Sequence, residues 1–439
     1  MYKLPHSTFI MNRLYFEKLK EWKESKKRKP LIIQGARQVG KTWLMKEFGR
    51  REFETVVYLN FESSSRLKEL FVADFNIQRI ISSIEIEANQ KIVASKTLLL
   101  FDEVQEAEKG LTVLKYFYEQ APEYYIIAAG SLLGISMQKH HSFPVGKVDF
   151  LKLYPLSFRE FLLNLGEKKL YEQLEASNFG VLTLFHQKLV EYLRLYYFIG
   201  GMPEVVAHYI EHKNIETVRG IQQKILMGYE NDFAKHAPHE IIPRIKLIWS
   251  SILSQLAMEN RKFIYGQIKK GARAKNFEMA IGWMVDAGLI LKVNRISKPT
   301  LPLNAYADID AFKLFFVDIG LLNALGNLDP KILLEKNNIL TEYKGALTEQ
   351  FVCQQLIIAH QLFYWTAEAG TAEVDFVLQQ KNEAIPIEVK AEENLKAKSL
   401  KLFVGKFKIK TAYRTSMNKY RAEEWLTNIP LYAIEGILT

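Results

Sequence analysis

Three separate stretches of the 439-residue sequence contain residues that could act on phosphate groups. The first has the spacing G-x-x-x-x-G-K-[ST] and consists of Gly35, Ala36, Arg37, Gln38, Val39, Gly40, Lys41 and Thr42. In this pattern the glycines let backbone N–H groups wrap around phosphates, Lys41 reaches the β and γ phosphates, and Thr42 binds Mg²⁺. The stretch therefore predicts a site for ATP and Mg²⁺.

The second stretch, "TLLLFDEVQ" at residues 97–105, supplies the acidic groups that such a site needs. Asp102 ends an apolar run typical of a buried parallel strand and would hold Mg²⁺ through water, while Glu103 would polarise the attacking water. The alternative is a strand that merely ends in exposed acids. A further run, "YYIIAAGS" at 124–131, ends in Ser131, which could contact the γ-phosphate or the attacking water.

The third stretch, "TAEVDFVLQQKNEAIPIEVK", predicts a hairpin with one strand to Leu378 and a second to Lys390. Alternation along a strand places Glu388 and Lys390 on one face. Asp375 and Glu388 would bind Mg²⁺, which lowers the pKa of bound water, and Lys390 would orient the hydroxide. This pattern meets the minimal requirement for phosphodiester cleavage with one or two metals, although ordinary amphipathic strands share it.

The elements around the first two stretches predict an α/β fold. The run "PLIIQ" precedes the glycine-rich loop, "TVVYLNFES" forms a further strand, and helical stretches cover residues 64–75 and 77–95. Strands that alternate with helices indicate a doubly wound parallel sheet over residues 1–165, with the nucleotide at the carboxyl edge of the sheet.

Residues 166–300 predict a helical region that includes a winged helix. "GGMPEVV" at 200–206 is a helix break and restart, with Pro203 in the first turn of the new helix. Helical segments from residue 244 precede an apolar hairpin that ends near 297, the order of a winged helix. Five basic residues near its third helix could contact phosphates: Lys262, Lys269, Lys270, Arg273 and Lys275. A packing module is the alternative.

Composition leaves several partners open. The net charge of +10 and a pI near 9.2 suit a nucleic acid or an anionic surface, and solvated basic faces are the alternative. No run of about 18 apolar residues is present, so we expect no membrane partner and a cytoplasmic location. The single cysteine, Cys353, is expected to pack in a core.

The segments "IIQGARQVGKT", "LLLFDEVQ", "IIAAGSLLG" and "FPVGKVDFLKLYPLSFREFL" resemble bacterial and archaeal AAA-type ATPases with a C-terminal domain of uncharacterised function related to restriction endonucleases. The resemblance implies an α/β restriction endonuclease-like domain over 301–439. It also implies an acid on that domain's first helix, then Asp, then Glu-x-Lys, and these match Glu349 as a further metal ligand, Asp375, Glu388 and Lys390. In this family an arginine often follows the glycine that corresponds to Gly146, and such an arginine could contact a neighbouring subunit's nucleotide. This sequence has Lys147 at that position, and Arg159 is the nearby alternative for the role.

Two functions follow from these expectations. The first is a Mg²⁺-dependent ATPase, coupled to a winged-helix and nuclease-like module that acts on DNA. The second is an ATP-driven regulatory or assembly switch, in which the C-terminal domain is a non-cleaving platform for a protein partner or a second copy of the chain.

Overall fold

The computed structural model describes residues 10–131, 146–257, 262–330, 341–368, 372–391 and 397–437. The chain divides into two compact units. The parallel-sheet unit comprises Arg13–Tyr154 and Asp286–Leu289, and the mixed-sheet unit comprises Met1–Asn12, Pro155–Val285 and Ile290–Thr439. None of the helices in the described ranges is long and apolar enough to cross a lipid bilayer.

The parallel-sheet unit has five parallel strands in the order β2-β3-β4-β1-β5. The strands are β1 (Leu31–Gln34), β2 (Thr55–Asn60), β3 (Thr97–Asp102), β4 (Tyr125–Ala129) and β5 (Asp149–Lys152). The helices are α1 (Tyr15–Glu24), α2 (Lys41–Glu52), α3 (Ser65–Lys68), α4 (Ile77–Ala88) and α5 (Gly110–Gln120). The prediction of an α/β fold with a parallel sheet is confirmed.

Strand β3 is buried along its whole length because helices cover both faces of the sheet. On one face Leu99 and Phe101 join an apolar core with residues of α4 and α5. On the other face Gly49 of α2 lies so close to β2 that an added Cβ would be 2.7 Å from a Val56 methyl group. The register pairs Asp102 with both Asn60 and Ala129, so the carboxyl ends of three strands meet at one edge.

The mixed-sheet unit contains an eight-stranded sheet in the order β12-β13-β11-β10-β9-β8-β6-β7. Its strands are β6 (Ile290–Ile296), β7 (Ala307–Phe316), β8 (Leu362–Thr366), β9 (Glu373–Gln380), β10 (Glu383–Val389), β11 (Tyr413–Ser416), β12 (Arg421–Ala422) and β13 (Thr427–Pro430). The expected hairpin is the antiparallel pair β9 and β10, which turns at residues 381–382.

Helices of the mixed-sheet unit precede and interrupt the sheet. Those before it are α6 (Phe158–Asn164), α7 (Lys168–Glu175), α8 (Phe179–Leu184), α9 (His186–Ile199), α10 (Pro203–His212), α11 (Ile215–His236), α12 (Ile242–Leu256), α13 (Tyr265–Ile268) and α14 (Glu278–Asp286). Those between its strands are α15 (Ile319–Leu325), α16 (Thr341–Leu356) and α17 (Lys398–Phe407), and α18 (Ile434–Ile437) follows the last strand. Cys353 lies on α16 and is buried, as expected.

The compact units and the sheet pairing of the structure divide the chain differently from the predicted domains, whose boundaries stay predictions. The expected order of helices is present in α12, α13 and α14, but the hairpin expected as a wing is β6 and β7, and β6 also pairs with β8 in parallel. The predicted boundary between 300 and 301 therefore falls inside one sheet, and 166–300 is not separated from 301–439. The boundary predicted at residue 165 falls at residues 154–155 in the structure. The assignment as a winged helix stays a prediction.

The glycine pair at 200–201 has the structural role expected of a helix break. Asp318, at the N-terminus of α15, accepts a hydrogen bond of 2.6 Å from the Gly201 N–H and one of 3.0 Å from the Leu321 N–H. Gly200 has a φ of 75°, and an added Cβ would lie 2.1 Å from the Asp318 Oδ1. The close approach of Asp318 therefore requires glycine at this position.

Candidate functional site

The glycine-rich loop joins β1 to α2 and takes a conformation that depends on its glycines. Gly40, the residue before α2, has a φ of 92°, and Gln38 has a φ of 66°. Gly35 lies so close to the end of β5 that an added Cβ would be 2.3 Å from the Leu153 carbonyl oxygen. The chain at the end of β5 therefore packs closely against the start of the loop. Gly40 leads directly into α2, as a phosphate-binding loop requires.

Lys41 is buried beneath this loop. Its Nζ donates hydrogen bonds of 2.9 Å to the carbonyl oxygens of Gly35 and Ala36. Burial lowers the pKa of Lys41 to about 8, although the charges of Glu103 and Asp102 oppose this shift. The side chain is thus a cation held at the loop in a poorly solvated place, where an anionic phosphate would stabilise its charged form.

Thr42 and Asp102 are brought together as the sequence predicted. The Thr42 Oγ1 donates a hydrogen bond of 2.7 Å to the Asp102 Oδ2, which also accepts one of 2.9 Å from the Tyr58 hydroxyl. A hydroxyl and a carboxylate are hard oxygen donors of the kind that Mg²⁺ prefers, so this pair fits the ion. Tyr58 was not anticipated, although its place near the carboxyl end of β2 was a signal.

Glu103 follows β3 in a left-handed backbone conformation with a φ of 51°. Its carboxylate accepts hydrogen bonds of 3.1 Å and 2.6 Å from the Ser131 N–H and Oγ, and one of 2.6 Å from the Gln105 side chain. Burial raises the pKa of Glu103, but the bonds from Ser131 and Gln105 and the charge of Lys41 outweigh this effect, and the pKa is lowered. Ser131 therefore contacts the predicted base.

The carboxylates of the third stretch also come together, in the mixed-sheet unit. Asp375 and Glu388 lie one step beyond the cross-strand pair Phe376–Ile387 of β9 and β10, and both are largely buried. The Lys390 Nζ contacts the Glu388 Oε1 at 2.6 Å, which agrees with the expectation that these two side chains share a face. Burial and the charge of Asp375 raise the pKa of Glu388, while Lys390 lowers it.

Glu349 has a partner that the sequence did not predict. Lys313 on β7 is buried, contacts the Glu349 Oε2 at 3.5 Å and donates a hydrogen bond to Glu373. Within the described ranges no three acidic, histidine or cysteine residues are grouped so that they could hold a metal ion. Glu349, Asp375 and Glu388 are thus not grouped as three metal ligands in the described ranges, and their role as ligands stays a prediction.

Two signals for this arrangement were available in the sequence. Lys313 is the one charged residue in the apolar run "AFKLFF", and Glu373 is two residues before Asp375 on the same strand. The carboxylates of Glu373 and Asp375 consequently belong to one face of the sheet.

The basic residues predicted near α14 are accessible. Lys262, Lys269, Lys270, Arg273 and Lys275 are all exposed. The two side chains considered for contact with a neighbouring subunit's nucleotide form ion pairs within the chain. Lys147 forms an ion pair of 3.0 Å with Glu119, and Arg159 is buried and paired with Glu175. Arg159 thus already has an acidic partner within its own chain.

Comparison with known proteins assigns a class to part of the chain. Residues 27–162 match a protein-family model described as "AAA domain", and residues 190–332 and 344–434 match two domains of unknown function, DUF8612 and DUF4143. With the loop geometry, the first match supports an AAA-type P-loop ATPase domain in this part of the chain. The restriction endonuclease-like character of the C-terminal region is not part of what these matches show.

Individual relatives are distant. The uncharacterized protein MJ1637 of Methanocaldococcus jannaschii is 26% identical over 200 residues, which are 43% of this chain and 41% of that protein. The chain thus matches less than half of the length of this curated relative. Similar solved structures are the Walker-type ATPase PABY2304 of Pyrococcus abyssi (TM-score 0.46, 14% identity, 74% of this chain and 99% of that one) and the Thermotoga maritima RuvB Holliday junction branch migration motor (0.31, 12%, 64% and 89%).

Proposed function

We propose that this protein is a Mg²⁺-dependent ATPase that couples ATP hydrolysis to the action of its mixed-sheet unit on DNA. The observation that carries the ATPase half is the convergence of Thr42 and Asp102 at 2.7 Å beside the loop, with Glu103 next in the chain. The DNA half is supported by the convergence of Asp375, Glu388 and Lys390 on one sheet face.

In the ATP site each side chain has a separate role. Bound Mg²⁺ would neutralise charge that develops on the phosphates. Lys41 would turn its ammonium from the loop carbonyls to the phosphate oxygens, and Thr42 and Asp102 would hold the ion. Glu103 would accept the proton of the attacking water, and its lowered pKa keeps it ionised at neutral pH. Ser131 would have to release at least one Glu103 oxygen for this step.

In the mixed-sheet unit, Asp375 and Glu388 would hold a divalent ion. The fit rests on the Glu388 Oε2, which is buried and has no hydrogen-bond partner among the described residues. A bound ion would supply a water of lowered pKa. Lys390 would stabilise the negative charge that develops on the phosphate, and the exposed basic residues near α14 would contact the DNA backbone.

The proposal is tested by incubating the full chain with single-stranded, duplex, forked and four-way junction DNA, with Mg²⁺ or Mn²⁺, with and without ATP. We expect cleavage of at least one form, lost in Asp375→Asn and in Lys390→Ala. Lys41→Ala is the matched variant in the parallel-sheet unit. It should abolish the effect of ATP on cleavage and leave the cleavage that occurs without ATP unchanged. If the wild-type protein cleaves none of these substrates, the DNA half of the proposal is wrong.

The ion pairs of Lys313 favour a second candidate function. Because this lysine takes up Glu349 and Glu373, the unit has fewer free ligands for catalytic metals than the resemblance implies. A non-cleaving platform for a protein partner or a second copy of the chain would need no metal ligands. Sedimentation velocity with ATP, ADP and no nucleotide tests this candidate, for which a nucleotide-dependent change in assembly is expected without DNA cleavage.

A further inference from the structure

Lys313 is a buried cation in the middle of a face rich in carboxylates. Its side chain is only 1% exposed, and it contacts Glu349 of α16 and Glu373 of β9. The Tyr364 ring lies beneath the ammonium group, with its centroid 5.0 Å from Nζ. A lysine is almost never fully buried unless its charge is balanced, and here two carboxylates balance it.

The same face continues to the proposed metal site. Glu373 and Asp375 are two residues apart on β9 and point to one side of the sheet. Glu388 on β10 and Lys390, the residue just after that strand, also share one side. The charge of Glu373 also acts on Glu388. Four carboxylates therefore share this region with two ammonium groups, and negative charge is in excess.

We propose that the Lys313 ammonium occupies the position that a divalent cation would otherwise take between Glu349 and Glu373. Lys313 is then a fixed cation: it holds Glu349 on α16 against Glu373 on β9 and limits this face to one metal ion, at Asp375 and Glu388. The limit to one ion at Asp375 and Glu388 rests on the proposed function, but the substitution of a cation by Lys313 does not.

Three features support this assignment over a simple buried ion pair. Lys313 contacts carboxylates from two separate elements, as a bridging ion does, and each carboxylate has oxygen atoms that suit Mg²⁺ or Mn²⁺. No group of three potential ligands forms in the described ranges while Lys313 is in place. The ammonium also supplies a fixed positive charge to Glu349 and Glu373 without a second ion.

The test counts Mn²⁺ ions bound to the full-length protein, freed of metal with EDTA and without nucleotide, by the electron paramagnetic resonance signal of free Mn²⁺. Lys313→Ser removes the ammonium and makes room for a hydrated ion. We expect this variant to bind one more Mn²⁺ than the wild type, and the double variant Lys313→Ser with Glu349→Gln to lose that additional ion.

Two matched variants separate charge from general damage. Lys313→Arg keeps the charge and should bind the wild-type number of ions. Lys292→Ser removes a half-buried lysine from the adjacent strand β6 and should also leave the number unchanged. A gain of an ion in Lys292→Ser would contradict the assignment, because the effect would not be specific to Lys313.

Removal of Lys313 leaves the buried Glu349 and the partly exposed Glu373 without this cation, so folding must be measured alongside by circular dichroism. If Lys313→Ser does not fold, the near-isosteric Lys313→Gln is used. If neither folds without metal, Mn²⁺ is expected to restore folding, and a chain that stays unfolded at saturating Mn²⁺ overturns the proposal. A folded variant that binds no additional ion overturns it as well.

The same titration keeps the two proposals apart. The wild-type count, and its loss in Asp375→Asn, reports on the metal site of the proposed function. The difference between wild type and Lys313→Ser reports on Lys313. If the wild type binds no Mn²⁺ but the variant gains one ion, the proposed metal site fails while the assignment of Lys313 is supported.

Discussion

Ser131 binds both oxygens of the Glu103 carboxylate, through its N–H at 3.1 Å and its hydroxyl at 2.6 Å. These two contacts join the ends of β3 and β4, neighbours in the parallel sheet, across the edge where the loop lies. The residue expected to contact a phosphate or the attacking water therefore also lowers the pKa of the predicted base.

We expect Ser131→Ala to shift the acidic limb of the ATPase pH profile to higher pH. Ser131 lowers the pKa of Glu103, and without its hydroxyl the effect of burial, which raises that pKa, is less opposed. Because Glu103 acts in its ionised form, activity would then be lost at a higher pH as the solution is acidified. The measurement is kcat against pH. An unchanged acidic limb would contradict the prediction.

Glu103→Gln should lower kcat by about 10²- to 10⁴-fold, the usual contribution of a general base, while ATP still binds. The amide keeps the shape of the side chain and its contact with Ser131 but cannot accept the proton. Steady-state turnover and binding of a fluorescent ATP analogue measure the two effects. Glu106→Gln, in the turn just after Glu103, is the matched control and should leave both unchanged.

ATP should bind more weakly to the wild-type protein as the pH rises from 7 to 9. The Lys41 pKa of about 8 in the free protein means that this side chain loses its charge over that range, and binding of the phosphates then requires uptake of a proton. Calorimetry at pH 8.5 in two buffers of different ionisation enthalpy measures the uptake. Lys41→Ala should abolish binding, whereas Arg50→Ala, exposed on the same helix, should not.

How much of this site the sequence could predict depends on how local each signal is. The loop from Gly35 to Thr42 and the acids after β3 were predicted because strand, turn and helix follow one another within a few residues. Tyr58 was missed, since its role arises only when the strand register brings the ends of β2 and β3 together. Gln105 was missed although it lies only two residues from Glu103.

The mixed-sheet unit shows the limit of local patterns more clearly. The β9–β10 hairpin and the shared face of Glu388 and Lys390 followed from strand alternation. The position of β6 beside β8 did not, because a parallel pairing between residues 294–296 and 363–365 joins segments far apart in the chain. For the same reason the partner of Glu349 was not evident, although Lys313 was conspicuous as a charge within an apolar run.

The last prediction concerns Gly288, which lies in the parallel-sheet unit beside the start of the ATP loop. Its φ is 74°, and an added Cβ would lie 3.0 Å from the Ala36 nitrogen and 3.4 Å from the Ala36 Cα. Gly288→Ala therefore combines backbone strain with pressure on the loop backbone. We expect a loss of about 1–3 kcal/mol in unfolding free energy and weaker ATP binding.

Gly282→Ala is the matched control, because an added Cβ at Gly282 meets open space and this residue lies within α14. Alanine in a helix interior should stabilise by roughly 0.5–1 kcal/mol without affecting ATP binding. Chemical denaturation and ATP titration of both variants measure the pair of effects. Equal ATP affinity in Gly288→Ala and the wild type would mean that the backbone of Ala36 tolerates the added methyl group, and that segment 286–289 does not constrain the nucleotide loop.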